Sequence, residues 1–169
     1  MAVRSATHGI LSDENAPKRE QIVEMLTKAY WMEIETVMSY IANSINPDGI
    51  RATEIRESLQ QDVQEELDHA KQFAQRIKDL YGVVPGSEDF SAVQTFLQPP
   101  ETQTDIVHVI RGVIEAETGA IEHYNQLIEL TADADPVTAD MVTAILRDEE
   151  GHRRLFEGFL RECEADLGA

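Results

Sequence analysis

The phrase Glu-x-x-His occurs twice in this chain, as Glu66-Leu67-Asp68-His69 and Glu149-Glu150-Gly151-His152, 83 residues apart. Each copy has a partner upstream: Glu33 lies 33 residues before Glu66, and Glu117 lies 32 residues before Glu149. Each partner is followed seven residues later by a tyrosine, Tyr40 and Tyr124. On a helix of about 3.6 residues per turn, positions i and i+3 share a face. Glu66 and His69 therefore aim at one spot, as do Glu149 and His152. A fold that accepts this pattern must bring four helices together around six polar side chains.

The apolar pattern supports four such helices. The first opens at Asn15-Ala16-Pro17, with proline favoured in the first turn, and stops at Asn46-Pro47. Its stripe is Leu26, Ala29, Val37, Tyr40 and Ser44, with Glu33 in the middle. The second spans about Gly49 to Tyr81, with Gly82 as its C′ residue. Its stripe is Ile55, Leu59, Val63, Ala70, Phe73, Ile77 and Leu80, and it includes Glu66 and His69. Residues 82 to 101 carry two glycines and three prolines and read as one long connection, with a short helix expected over Ser91–Leu97. The third helix opens on a capping-box-like Thr102-x-x-Asp105 and carries Ile106, Ile110, Val113, Ile121, Tyr124 and Ile128 in register with Glu117. The fourth starts at Asp135-Pro136 and carries Met141, Ile145, Phe156, Phe159 and Leu160 with Glu149 and His152.

Short links join helices one to two and three to four, and a long one joins two to three. That predicts two antiparallel hairpins and one crossover, an all-α antiparallel four-helix bundle. The near-equal offsets, 84 residues from Glu33 to Glu117 and 83 from Glu66 to Glu149, suggest a duplicated hairpin. Residues 1–15 read as a flexible N-terminal leader, and residues 16–169 as a single bundle domain.

Composition excludes several classes of function. The only cysteine is Cys163, so neither an intrachain disulfide nor a multi-thiolate metal site can form. A net charge of -18 opposes direct binding to a DNA backbone, which needs clustered lysine and arginine. The same charge draws cations to the surface, although much of it serves as a solvated exterior. No apolar run spans a bilayer, and the N-terminus lacks a basic-then-apolar signal pattern. A cytoplasmic protein without a membrane partner is expected.

The buried carboxylates dictate the chemistry. An unpaired carboxylate in an apolar core costs several kcal/mol or stays protonated, so four together call for cations. Carboxylate oxygens suit hard ions, and one imidazole per ion tilts the choice to iron or manganese. A single Glu-x-x-His on an acidic helix is weak evidence, since glutamate is abundant. Two copies in register, each with its Glu and Tyr partner, are far harder to obtain by chance.

With these residues the chain resembles the ferritin-like di-iron superfamily, and most closely bacterioferritin and bacterioferritin-like Dps proteins, over nearly everything from residue 17 onward. The resemblance implies a ferritin-like four-helix bundle and a di-metal centre of Glu33, Glu66, His69, Glu117, Glu149 and His152. Glu33 and Glu117 would be terminal ligands, Glu66 and Glu149 would bridge, and each histidine would complete one metal. Tyr40 and Tyr124 match tyrosines that hydrogen-bond the ligating carboxylates. The implied cofactors are two iron ions, with manganese as the alternative. The implied activity is oxidation of Fe(II) by O2 or H2O2, serving iron storage, detoxification and oxidative-stress protection. The implied assembly is a homo-oligomer, up to a hollow cage.

Departures narrow the resemblance. Leu67 stands where bacterioferritin has its haem-ligating methionine, so no haem is expected. Phe73 and Leu155 replace a family tyrosine and tryptophan, which argues against radical or electron-donor roles there. Ala120 replaces the extra glutamate of rubrerythrin. A di-manganese catalase-like enzyme, a di-iron oxidase or oxygenase, and a DNA-protecting assembly remain as alternatives. Glu65 and Asp148 each precede a bridging glutamate and either steer the histidines or face solvent. His108, His123, Glu115 and Glu122 are expected near the surface, Tyr30 and Trp31 at a packing contact, and Cys163 half-buried.

Overall fold

A computed structural model of the protein describes residue 6 and residues 8–167, without the side chains of residues 166 and 167. Residues 1–5 and 7 of the expected leader lie outside the described set. Four long helices dominate: α1 (Ala16–Ile45), α2 (Ala52–Asp79), α3 (Ile106–Thr131) and α4 (Pro136–Leu167). No strand occurs among the described residues. No helix among them is long and apolar enough to cross a membrane.

α1 pairs with α2, α3 pairs with α4, and the two hairpins face each other, as the link lengths predict. The crossover occupies residues 80–105. Arg76 of α2 ties the hairpins at one end, donating to Asp135 Oδ1 at 2.7 Å and to Thr138 Oγ1 at 2.8 Å at the start of α4. Asp135 also accepts from the Thr138 backbone at 3.2 Å, and so caps α4.

The apolar core comes in two clusters. One contains Ile22, Leu26, Phe73, Ile77, Tyr124, Leu127 and Ile145. The other contains Tyr40, Ile55, Leu59, Ile110, Val113 and Phe156. Along every helix the polar motif residues lie between positions of one cluster and positions of the other. The core is therefore two apolar plugs with a polar layer between them.

Local chemistry moves several expected boundaries. Ser91–Leu97 is not helical, and the crossover holds only one 3-10 turn, Ser87–Asp89. The backbone N–H groups of Val93 and Gln94 donate instead to Glu35 Oε1, at 2.8 and 2.7 Å. A buried carboxylate on α1 thus takes the donors a helix would have used. α2 begins at Ala52 rather than Gly49, because Gly49 sits at φ 104° in the turn. α3 is capped by Asp105, which accepts from His108 N at 3.1 Å, and Thr102 lies outside the helix. Tyr81, not Gly82, takes the left-handed C′ conformation after α2, at φ 66°. Gly82 N–H bonds Ile77 O at 2.9 Å, and Tyr81 N–H bonds Lys78 O at 3.1 Å, a Schellman pair. Glycine is required at 82 because a Cβ there would meet Val23 Cγ1 at 2.8 Å.

Packing also reaches upstream of residue 16. Ile10 and Ser12 are buried, and Arg19 donates to both of their carbonyls at 2.8 and 3.0 Å. Within the segment expected to be loose, this part is anchored to the bundle.

Candidate metal centre

Glu33 from α1, Glu66 and His69 from α2, Glu117 from α3, and Glu149 and His152 from α4 all fall in the polar layer. All six are buried, from 1% exposure at Glu66 and Glu149 to 8% at His152. One donor atom each from Glu33, Glu66, His69 and Glu149 lies within 4.8 Å of the others, and the same holds for Glu66, Glu117, Glu149 and His152. The two groups share Glu66 and Glu149. This geometry offers two adjacent cation positions with the shared carboxylates between them. His69 Nδ1 is 3.1 Å from Glu149 Oε1 and 3.5 Å from Glu66 Oε2. His152 Nδ1 is 3.3 Å from Glu66 Oε1 and 3.5 Å from Glu149 Oε2.

The tyrosines cross between hairpins. Tyr40 of α1 donates to Glu117 of α3, and Tyr124 of α3 donates to Glu33 of α1. Both rings are fully buried in the apolar plugs. Each phenol therefore seals its plug with the ring and fixes one outer glutamate with the hydroxyl. Burial, then the neighbouring carboxylate charge, pushes both phenols up, so they remain donors.

The donor set fits a pair of cations. Both oxygens of Glu66, both of Glu149, and Nδ1 of His69 and of His152 are buried without a hydrogen bond. A buried unsatisfied polar group costs about 1–3 kcal/mol, and a native core tolerates few of them. Six such atoms facing one another are accounted for if they are ligands. Two divalent ions would also neutralise the four carboxylates of the layer.

Without cations the layer balances its charge with protons. Burial, then the charges of Glu66 and Glu149, raises Glu33 well above the usual carboxylate range. Burial, then Glu149 and Glu66, does the same to Glu117. Burial also opposes ionisation of Glu66, but the His152 and His69 imidazoles, 3.3 and 3.5 Å from its oxygens, outweigh it and hold that carboxyl at about 2. Burial pulls both imidazoles down, and Glu149 and Glu66 more than reverse this, to about 10 at His69 and about 12 at His152.

An outer layer fixes the imidazoles. Glu65 Oε2 accepts from His152 Nε2 at 2.8 Å, so Nδ1 faces inward and presents a lone pair once its own proton is lost. On the other side Asp148 Oδ2 lies 3.5 Å from His69 Nε2. Sequence reasoning missed Asp62, which is buried, with Oδ1 3.8 Å from His152 Nε2. Burial pushes Asp62 up to about 6 although His152 pulls it down. The available signal was its place one turn before Glu66, on the same face of α2.

His123, expected near the surface, is buried; its Nε2 lies 2.9 Å from Met25 O, so α1 covers it. His108 is exposed, as are Glu115 and Glu122. Trp31 packs between Tyr30 and Phe90, with ring centres 4.8 and 5.4 Å away. Cys163 is half-buried. Phe73 packs on the Tyr124 ring at 5.3 Å, whereas Leu155 is 46% exposed and so cannot shape a pocket inside the layer.

The chain matches the ferritin-like domain family over residues 13–165. It is 28% identical over 145 residues to a DNA protection during starvation protein of Pyrococcus furiosus, a match covering 83% of this chain and 77% of the relative. It is 25% identical over 141 residues to a bacterioferritin of Desulfovibrio desulfuricans, covering 83% of this chain and 74% of the relative. Among solved structures, the dodecameric thioferritin of Bacteroides fragilis, described as a bacterioferritin-related protein, superposes with a TM-score of 0.78 at 22% identity, over 89% of this chain and 90% of that one. A four-helix bundle with a doubled Glu-x-x-His layer and a match along nearly its whole length places this chain in the ferritin-like family.

Proposed function

We propose that this protein is a ferroxidase that binds two Fe(II) ions as substrate in the Glu33, Glu66, His69, Glu117, Glu149 and His152 layer. The observation that carries the reading is the set of six orphaned, buried donor atoms on Glu66, Glu149, His69 and His152. The ions supply the redox chemistry, and the protein supplies geometry and charge. Two Fe(II) give up one electron each. Dioxygen takes the pair with two protons and leaves as hydrogen peroxide, or hydrogen peroxide takes the pair with two protons and leaves as two waters.

The residues divide the work. Glu66 and Glu149 serve both positions, while Glu33 with His69 and Glu117 with His152 serve one each. Tyr124 and Tyr40 hold the outer glutamates in place. Glu65 holds His152 in the tautomer that presents Nδ1. Loading requires protons to leave Glu33, Glu117 and both histidines, whose affinity for protons is raised in the metal-free layer. The apolar plugs limit water in the layer, which strengthens every charge interaction there.

Stored iron would require a hollow assembly, as the resemblance to bacterioferritin and Dps proteins implies. Aerobic addition of Fe(II) in excess over two ions per chain, followed by electron microscopy, tests both halves of the reading. The expected result is rapid oxidation and uniform particles with dense cores. Peroxide disproportionation by the manganese-loaded protein, with no Fe(II) oxidation, would replace this reading with the catalase-like alternative.

A further inference from the structure

Among the described residues, His123 is the buried histidine that stands outside the metal layer. Its Nε2 lies 2.9 Å from Met25 O. A carbonyl only accepts, so Nε2 carries the proton and donates, whatever the charge on the ring. Nδ1 is buried without a partner. The polar role of this imidazole is therefore one donated hydrogen bond.

That bond crosses between the hairpins, from α3 to α1, as the bonds of Tyr124 to Glu33 and Tyr40 to Glu117 do. Among the described residues no other side-chain hydrogen bond links these two helices. His123 directly precedes Tyr124, and their rings meet edge to face with centres 6.0 Å apart. Phe73 of α2 borders the same phenol ring at 5.3 Å. His123 and Tyr124 thus hold α1 at two points, Met25 and Glu33, about 12 Å apart along its axis at 1.5 Å per residue. One such bond is a pivot, whereas two separated bonds set both the height and the rotation of α1 against α3. The other half is built differently. Ser39, the residue before Tyr40, lies 3.5 Å from Gln94 of the crossover.

We infer that His123 is a positioning residue for one of the two ions: its bond to Met25 O sets α1 against α3 so that Tyr124 holds Glu33 where Glu33 and His69 serve the same cation. The effect passes through the Tyr124 phenol and reaches one position only, because Glu117 is held from the other side by Tyr40. Its consequence for iron rests on the two-ion reading of the layer, while the tie between the hairpins stands without it.

Anaerobic calorimetric titration with Fe(II) tests it in two backgrounds of the full chain. Glu117→Ala retains the position of Glu33 and His69, and Glu33→Ala retains that of Glu117 and His152. Adding His123→Leu should weaken Fe(II) binding about 5-fold in the first background and leave the second unchanged. His123→Gln, which keeps an N–H donor for Met25 O, should restore the first. With Tyr124→Phe also present, His123→Leu should add nothing further. Should His123→Leu lose helicity by circular dichroism, His123→Met takes its place. Equal weakening in both backgrounds, weakening that survives Tyr124→Phe, or no recovery with His123→Gln overturns the inference. Hydrogen exchange of the metal-free protein separates that outcome from failure of the two-ion reading. His123→Leu should speed exchange in the α1 peptide from Met25 to Glu33 and not around Glu66, and His123→Gln should not. That pattern in a protein that binds no Fe(II) would sink the ferroxidase reading and uphold the tie. Unchanged exchange in His123→Leu would remove the tie itself.

Discussion

The two halves of the bundle repeat their inner chemistry and diverge just outside it. Glu33, Glu66 and His69 are answered by Glu117, Glu149 and His152, and the tyrosine crossing from each hairpin to the other is answered in turn. One layer further out the match fails. Among the described residues, His152 Nε2 has Glu65 at 2.8 Å and the buried Asp62 at 3.8 Å, whereas the carboxylate beside His69 Nε2 is Asp148, at 3.5 Å. The donors that would serve both proposed metal positions are repeated, whereas the groups behind the histidines differ between the halves, and two bound ions should therefore not be held equally well.

The largest expected effect comes from breaking what the halves share. Glu66→Ala or Glu149→Ala removes a donor that both four-residue groups share, and so a ligand from each proposed metal position. Either change should lower the Fe(II) oxidation rate by at least about 100-fold, with helical circular dichroism retained. Glu33→Ala and Glu117→Ala should each leave one ion bound per chain by calorimetric titration. If the inner pair and outer pair of glutamates gave the same loss of stoichiometry, the shared-carboxylate arrangement would be wrong.

A medium effect follows from acidity, which both halves share. Glu33, Glu117, His69 and His152 all hold protons more tightly folded than unfolded. Their contribution to metal-free stability is complete below the unfolded values and is lost as pH rises toward the folded ones. For the histidines that window runs from 6.5 toward about 10 and about 12. Glu66, lowered to about 2, acts oppositely, and its contribution is lost only as pH falls below 4.5. Cations compete with the protons on the first four groups, so metal affinity should rise over the same window. The melting-temperature gap between metal-loaded and metal-free protein should widen from pH 6 to pH 9. A flat or narrowing gap would mean that these protons are not displaced.

The smallest effect sharpens the asymmetry itself. Glu65→Gln should weaken one of two resolved metal-binding steps by about 10- to 100-fold, as loss of a carboxylate behind a ligating histidine does. Asp148→Asn should weaken the other only about 2- to 3-fold, since that carboxylate lies at 3.5 Å from Nε2, beyond the usual hydrogen-bond range. Equal effects would restore equivalence to the halves.

The four helices and the six inner residues were legible because their signals are local and repeated. Helical spacing sets Glu66 with His69, and the duplication supplies the rest. What was not legible depended on contacts distant in sequence. Ser91–Leu97 has helix-compatible residues, but its backbone donors go to Glu35, 58 residues away. Nothing beside His123 reveals that Met25 of α1 covers it. Asp62 belongs to no motif and Val63 falls on the apolar stripe, yet the bundle buries Asp62 and leaves Val63 only partly covered.

The central claim is that one subunit holds two ions side by side between Glu66 and Glu149. Anomalous diffraction from crystals loaded anaerobically with Fe(II) tests it directly. Two peaks per chain are predicted, one contacted by Glu33 and His69, the other by Glu117 and His152, with Glu66 and Glu149 touching both. A single peak, peaks confined to surface carboxylates, or a layer that stays empty at millimolar Fe(II) would contradict it.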